Sequence, residues 1–267
     1  KVLYAARIIP YRGSWLGYEF DAKDLIYARI DRKRKFPATA ILKSLDMNDQ
    51  EILDTFYKKI KVVTKNGKIY LSTTAEELKG KAFDFDIEVS GKKVVAGKRI
   101  NAKVAADLSK QKNGLIHVEF DDFIGQTLGQ DIINKETGEI LYETNTLLDK
   151  TTLKKILELN SAEFDILYVN TIDSGSFIAD TLRNDPSRTR AEALVDIYRM
   201  LRPGEPPTKE STEVLFNNLF FSTDRYDLSD VGRMKLNWRL KIEDRSDTYV
   251  LTKEDIVAVL KKLVDIR

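Results

Sequence analysis

Pro203-Gly204-Glu205-Pro206-Pro207 divides two stretches of helical periodicity, and that division decides the fold class. Before it, Leu194, Ile197, Tyr198 and Leu201 recur at i, i+3, i+4 and i+7. After it, in the amphipathic run from Thr208 to Phe221, Leu215, Phe216, Leu219 and Phe220 form a second apolar face. Proline donates no backbone hydrogen bond and restricts the residue before it, so this run ends one helix and starts another. Arg202 is thereby pinned at a helix terminus. A last helix is expected from Thr252, with Asp255 at its third position and Ile256, Val259, Leu260 and Leu263 facing inward.

The N-terminal third has a different texture. Residues from Lys1 to about Leu45 alternate, with punctuation at Pro10, Gly13 and Pro37, and read as strands and tight turns. Lys1 stands without a methionine inside an alternating stretch, Val2, Tyr4 and Ala6 against Leu3, Ala5 and Arg7, so a strand already in progress and a fragment of a longer chain are expected. From Asn48 the spacing to Glu51 predicts a capped helix with Ile52, Leu53, Phe56 and Ile60 on its apolar face. Asn66-Gly67 and Ser90-Gly91 each predict a hairpin, and Thr74 with Glu77 a capped turn between them. Phe83, Phe85, Ile87 and Val89 alternate with Asp84, Asp86 and Glu88 as in a half-buried strand. Helices are expected from about Ala102 to Lys110 and from Thr151 to Leu159, the second capped by Asp149. The class is therefore α+β, strands then helices, with a self-contained smaller α+β domain at 58–171 dividing a domain made of 1–57 and 172–267.

Composition narrows the function. The 267 residues are 42% hydrophobic, enough for real cores, and 44 basic against 42 acidic residues leave a net charge of +2. Any attraction to nucleic acid must come from local clustering. The absence of cysteine excludes disulfides and thiolate chemistry, and no apolar run approaches the roughly 20 residues that span a bilayer. A soluble intracellular protein is expected.

Catalytic parts are sparse. His117, the single histidine, sits in an alternating strand, Leu115 to Phe120, where a structural or surface role is expected. Gly-rich phosphate loops and Gly-x-Ser-x-Gly elbows are missing. Asp84/Asp86 and Asp121/Asp122 have the chemistry to hold two metal ions and keep a hydrolase or nuclease reading open, but their spacing favours a solvated strand face. Trp15, after Gly13-Ser14, reads as a core anchor or a stacking platform, and the residues alone favour the core. Asp31-Arg32-Lys33-Arg34-Lys35 is the densest basic cluster, ordinarily a solvated turn.

Three blocks carry a resemblance. They are Ala6-Arg7-Ile8-Ile9-Pro10-Tyr11-Arg12-Gly13-Ser14-Trp15-Leu16 with Ile30 to Lys35, Pro37-Ala38-Thr39 and Ile41-Leu42; Tyr198 to Thr208 with Leu219-Phe220-Phe221 and Asp224 to Ser229; and Val231 to Asn237 with Leu263 to Arg267. In that order they closely resemble the lobe of the bacterial RNA polymerase β subunit, over essentially the whole chain. Gly17-Tyr18 and Trp238 depart from the usual pattern, and Trp238 is left unassigned.

The resemblance implies a discontinuous lobe, 1–57 and 172–267, interrupted at 58–171 by a lineage-specific insert found in many Gram-negative bacteria. It implies a non-catalytic part of a nucleotidyltransferase, with catalytic magnesium in another subunit and no cofactor here. It implies one wall of the DNA cleft, touching the nontemplate strand and the downstream duplex, with α, β′, ω and sigma factor as partners in the nucleoid-associated cytoplasm. Trp15 then becomes a stacking platform for a nontemplate base, worth about 1–3 kcal/mol. Asp31 is expected near that strand, Arg32 and Arg34 near phosphates, and Arg202 and Arg225 beside single-stranded promoter DNA, although Asp224 and Asp227 are equally placed to hold Arg225. The alternative is a protein-docking domain that uses the insert to bind sigma or regulatory factors.

Overall fold

Four strands open the chain as an antiparallel meander: β1 (Ala5–Ile8), β2 (Leu16–Phe20), β3 (Ile26–Ile30) and β4 (Phe36–Pro37). The computed structural model describes residues 3–108, 114–134, 137–159, 162–243 and 247–267. Lys1 and Val2, part of the strand expected at the start, lie outside these. Leu16, Tyr18, Phe20, Ile26, Ala28 and Ile30 are buried, while the residues between them are half-buried on the other face. The Asp21 carboxylate accepts from Lys23 N and Leu25 N and so closes the β2–β3 turn. Pro37 then leads into α1 (Ala38–Ser44), where only strands and turns were expected. All seven of its residues are buried, so it has no polar face to produce an amphipathic period. Its polar groups are satisfied inside: Thr39 Oγ1 donates to Asp185 at 2.5 Å, and Lys43 Nζ donates to Ser187 O and lies 3.7 Å from Asp185.

The chain divides into two compact units, Lys1–Asn48 with Phe177–Arg267, and Asp49–Ser176. The second opens with α2 (Asp49–Phe56), which buries Ile52 and Leu53. Ile60, expected on that helix face, belongs instead to β5 (Lys59–Lys65), because the β-branched run Ile60 to Thr64 favours extended backbone. β6 (Lys68–Ser72) follows across Asn66-Gly67, whose φ of 51° and 71° make the expected mirror-image turn. The capping box of Thr74 and Glu77 starts α3 (Ala75–Leu78), and Ser90-Gly91 joins β7 (Ile87–Val89) to β8 (Lys92–Val94). The strand period continues inward from Phe83 through Val89, although only the last three residues pair.

After α4 (Ala102–Leu108), the rest of the helix expected to Lys110 lies outside the described residues. β9 (Leu115–Val118), β10 (Ile132–Ile133), β11 (Ile140–Tyr142), α5 (Lys150–Glu158, capped by Asp149) and β12 (Glu163–Leu167) complete the unit. Its main sheet runs β12-β5-β6-β9, over a core that includes Val62, Leu71, Ile116, Phe123, Leu153 and Phe164. The first and last of its strands are neighbours: Lys59 pairs with Leu167, and Tyr168 N donates to Lys58 O at 2.8 Å.

Helices finish the first unit: α6 (Phe177–Arg183), α7 (Arg190–Leu201), α8 (Lys209–Phe220), α9 (Ser229–Leu240) and α10 (Lys253–Ile266). Thr189, Thr208 and Thr252 close capping boxes at the starts of α7, α8 and α10. The proline run separates α7 from α8 as expected. Leu194, Ile197, Tyr198, Phe216, Leu219, Phe220, Ile256, Val259, Leu260 and Leu263 are buried, each worth about 1.5–3 kcal/mol for an aliphatic or phenyl side chain. Leu201 and Leu215 are only half-buried. Among the described residues no helix is long and apolar enough to cross a membrane.

Candidate nucleic-acid interface

Trp15 and Asp31 stand just beyond the last β2–β3 pair, Leu16 with Ile30, and extend the ladder by one step. Trp15 N donates to Asp31 Oδ1 at 2.8 Å, and Asp31 N donates to Trp15 O at 3.0 Å. The chain then reverses through Ile30-Asp31-Arg32-Lys33, where Lys33 N donates to Ile30 O and Asp31 and Arg32 have φ of 49° and 59°. Two successive left-handed residues define a type I′ turn. This turn brings the Arg32 guanidinium to 4.6 Å from the centroid of the Trp15 ring, a cation–π contact.

Neighbouring side chains fix the basic segment. Arg29 pairs with Glu19 at 2.9 Å and donates to Lys33 O at 3.0 Å. Lys33 Nζ donates to Leu201 O at 2.8 Å, placing a cation on the carbonyl end of α7. Lys35 lies 4.2 Å from the Tyr27 ring centroid. Arg34 is exposed and has no ion pair or side-chain hydrogen bond among the described residues. A cleft of about 260 Å³ opens beside Trp15, bordered by Arg7, Gly17, Glu19, Arg29 and Arg32.

Segment 12–15 continues to a second hollow. Arg12 and Asp227 exchange both backbone hydrogen bonds, at 3.0 and 2.7 Å, and Arg12 Nη2 donates to Thr223 O. Gly13 adopts φ of +124° against Tyr226, where a Cβ would lie 2.6 Å from the ring. The hollow, about 400 Å³, is bordered by Ser14, Arg202, Asn218 and Arg225 over an aliphatic floor that includes Leu215 and Leu219. Arg202 is the C-cap of α7. It reaches Glu205 at 3.2 Å, and Glu205 also accepts from Tyr198 Oη at 3.0 Å. The Tyr198 hydroxyl first, and Arg202 second, hold the Glu205 carboxyl below its ordinary range. Arg225 forms no ion pair with Asp224 or Asp227.

Of the six residues singled out in the sequence, Trp15, Asp31 and Arg32 form one cluster and Arg202 and Arg225 another. Segment 12–15 joins the two clusters, and Arg34 stands apart. Arg7, Glu19, Arg29 and Asn218 were missed. Arg7, Glu19 and Arg29 do carry a signal, the outward phase of strand alternation around Gly17. The acidic pairs go elsewhere: Asp84 accepts from Thr171, while Asp86 accepts from Ala96 N and pairs with Lys93. Among the described residues no three acidic or histidine side chains converge as a metal cage would require.

Residues 2–82 and 173–267, about two thirds of the chain, match the family model described as RNA polymerase Rpb2, domain 2. The chain belongs to this family. It is a module of the second-largest subunit of RNA polymerase, a nucleotidyltransferase as a whole enzyme, and other polymerase subunits are its partners. All six candidate residues fall within the matched stretches. The match runs through β5, β6 and α3, breaks at residue 82 and resumes at 173.

Proposed function

We propose that this Rpb2 domain 2 module is the lobe of a bacterial β subunit and forms one wall of the DNA cleft, holding the nontemplate strand beside downstream and promoter duplex. The reading rests on one observation: Trp15, Arg32, Arg202 and Arg225 gather along segment 12–15, with no carboxylate paired to Arg225. Trp15 offers an indole against which an unpaired base stacks, with Arg32 on the ring. Arg202 and Arg225 border a hollow suited to a backbone phosphate, and Arg34 adds salt-dependent attraction. Asp31 acts through Trp15 and Arg32 by fixing their geometry. Residues 58–171 are an insertion in this reading, the catalytic magnesium belongs to another subunit, and the module works in the cytoplasm with α, β′, ω and sigma. In reconstituted polymerase, Trp15→Ala shortens the open-complex lifetime by about tenfold, the equivalent of one stacked base, and leaves nucleotide addition nearly unchanged. Unaltered lifetimes remove Trp15 from the site.

A second reading, docking of sigma or regulatory factors through the insert at 58–171, has its own support. Ile133 and Ile140 are cross-strand partners, 52% and 54% exposed, beside exposed Leu141. If deleting residues 58–171 leaves binding of every such factor intact, the docking reading is lost.

A further inference from the structure

In the unit formed by Lys1–Asn48 and Phe177–Arg267, strand β1 and helices α9 and α10 enclose a groove of about 480 Å³. Its floor is aliphatic, with Leu236 and Leu240 from α9 and Leu263 and Ile266 from α10. Its rim is cationic: Arg7 from β1, Lys235 and Arg239 from α9, and Lys262 from α10. None of these four makes an ion pair or a side-chain hydrogen bond among the described residues. No carboxylate borders the groove, and none of Trp15, Asp31, Arg32, Arg34, Arg202 and Arg225 does.

We infer that this groove is a docking site for an acidic, leucine-rich polypeptide segment, whose apolar side chains sit on the floor while its carboxylates meet the four cations. Charge complementarity over an aliphatic surface favours that occupant. Four unpaired cations around one hollow repel one another, and carboxylates placed among them relieve that repulsion. Nucleic acid fits less well, because the lining has no aromatic ring for a base to stack on and no amide or hydroxyl to read a base edge. A second copy of the same face would bring like charges together. An amphipathic helix laid along α9 and α10 meets both demands, with apolar side chains at i, i+3, i+4 and i+7 and acidic flanks.

Anisotropy titrations of the whole chain test this with three fluorescein-labelled probes. The first is a peptide of about 16 residues, roughly four helical turns, with leucine at the helical apolar spacing and glutamate elsewhere. The second is the same peptide with lysine for glutamate, and the third is single-stranded DNA of similar reach. The glutamate peptide binds with an affinity that falls as salt rises, and Lys235→Glu/Arg239→Glu weakens it about tenfold or more while gaining the lysine peptide. Lys262→Glu, on a different helix, gives the same exchange of preference, so a folding defect in one variant does not decide the matter. The inference is overturned if neither peptide binds, if the lysine peptide binds the native chain equally well, if DNA displaces the glutamate peptide, or if the charge reversals leave the preference unchanged.

Discussion

Among the described residues Arg233 is the largest side chain fully removed from solvent, and it meets Asp255 through two hydrogen bonds of 3.0 and 2.9 Å. It also donates to Thr248 O and Val250 O, so one guanidinium ties α9 to α10 and to the backbone at 248 and 250. Arg233→Met takes the guanidinium away from the buried Asp255 carboxylate and costs about 3–5 kcal/mol of unfolding free energy in urea titrations. Arg233→Met/Asp255→Leu recovers a large part of that loss; a double variant no better than the single assigns the cost to packing instead. Gly13 makes a second local demand. With φ of +124° and Tyr226 where a methyl would go, Gly13→Ala costs about 1–3 kcal/mol by the same measurement, and an unchanged midpoint rules out the close approach. Neither demand is visible in the sequence. Arg233 is one of three basic residues along α9 with nothing in its spacing to mark it as buried, and the partner of Gly13 lies more than two hundred positions away.

Helix termini are where local chemistry spoke most clearly. The Thr-x-x-Glu spacing at 74, the Thr252–Asp255 pair and Asp149 before Lys150 each became an observed cap, and both turn dipeptides became hairpins. These signals are complete within four residues and need no tertiary knowledge. Helix α1 needs it, because burial on all sides erases the pattern that marks a surface helix. At the candidate site the residue types were legible and the contacts were not. The stacking of Arg32 on Trp15 depends on a type I′ turn at Asp31-Arg32, where neither residue is glycine. Between elements, Arg190 of α7 makes a bidentate pair with Glu213 of α8, and those hydrogen bonds hold the Glu213 carboxyl below its ordinary range. The folded state therefore favours the ionised form. Its contribution is complete above the unfolded value near about 4.3 and drains away as pH falls through the lower folded value. Melting temperatures of the native chain and Glu213→Gln accordingly differ at neutral pH and converge towards pH 3. A gap that does not change with pH removes the ion pair as its cause.

For the molecule as a whole, the Asp49–Ser176 unit has its own core, built from residues between Ile60 and Tyr168 without help from the flanking sequence. Residues 49–176 produced alone are expected to give dispersed amide resonances and one cooperative thermal transition, and a molten spectrum refutes that independence. The pairing of Lys59 with Leu167 reaches beyond stability. Antiparallel partners lie only about 5 Å apart, so the two ends of the stretch from Lys59 to Leu167, both inside this unit, almost meet. To the strand residues that close it, a long folded stretch and a short turn present the same boundary condition, and loop-closure entropy grows only logarithmically with what is placed between them. Residues between Lys59 and Leu167 can be lengthened or trimmed at little entropic cost to the strand pair that closes them, and most of the interval from 83 to 172 that the family match leaves out lies inside that closure.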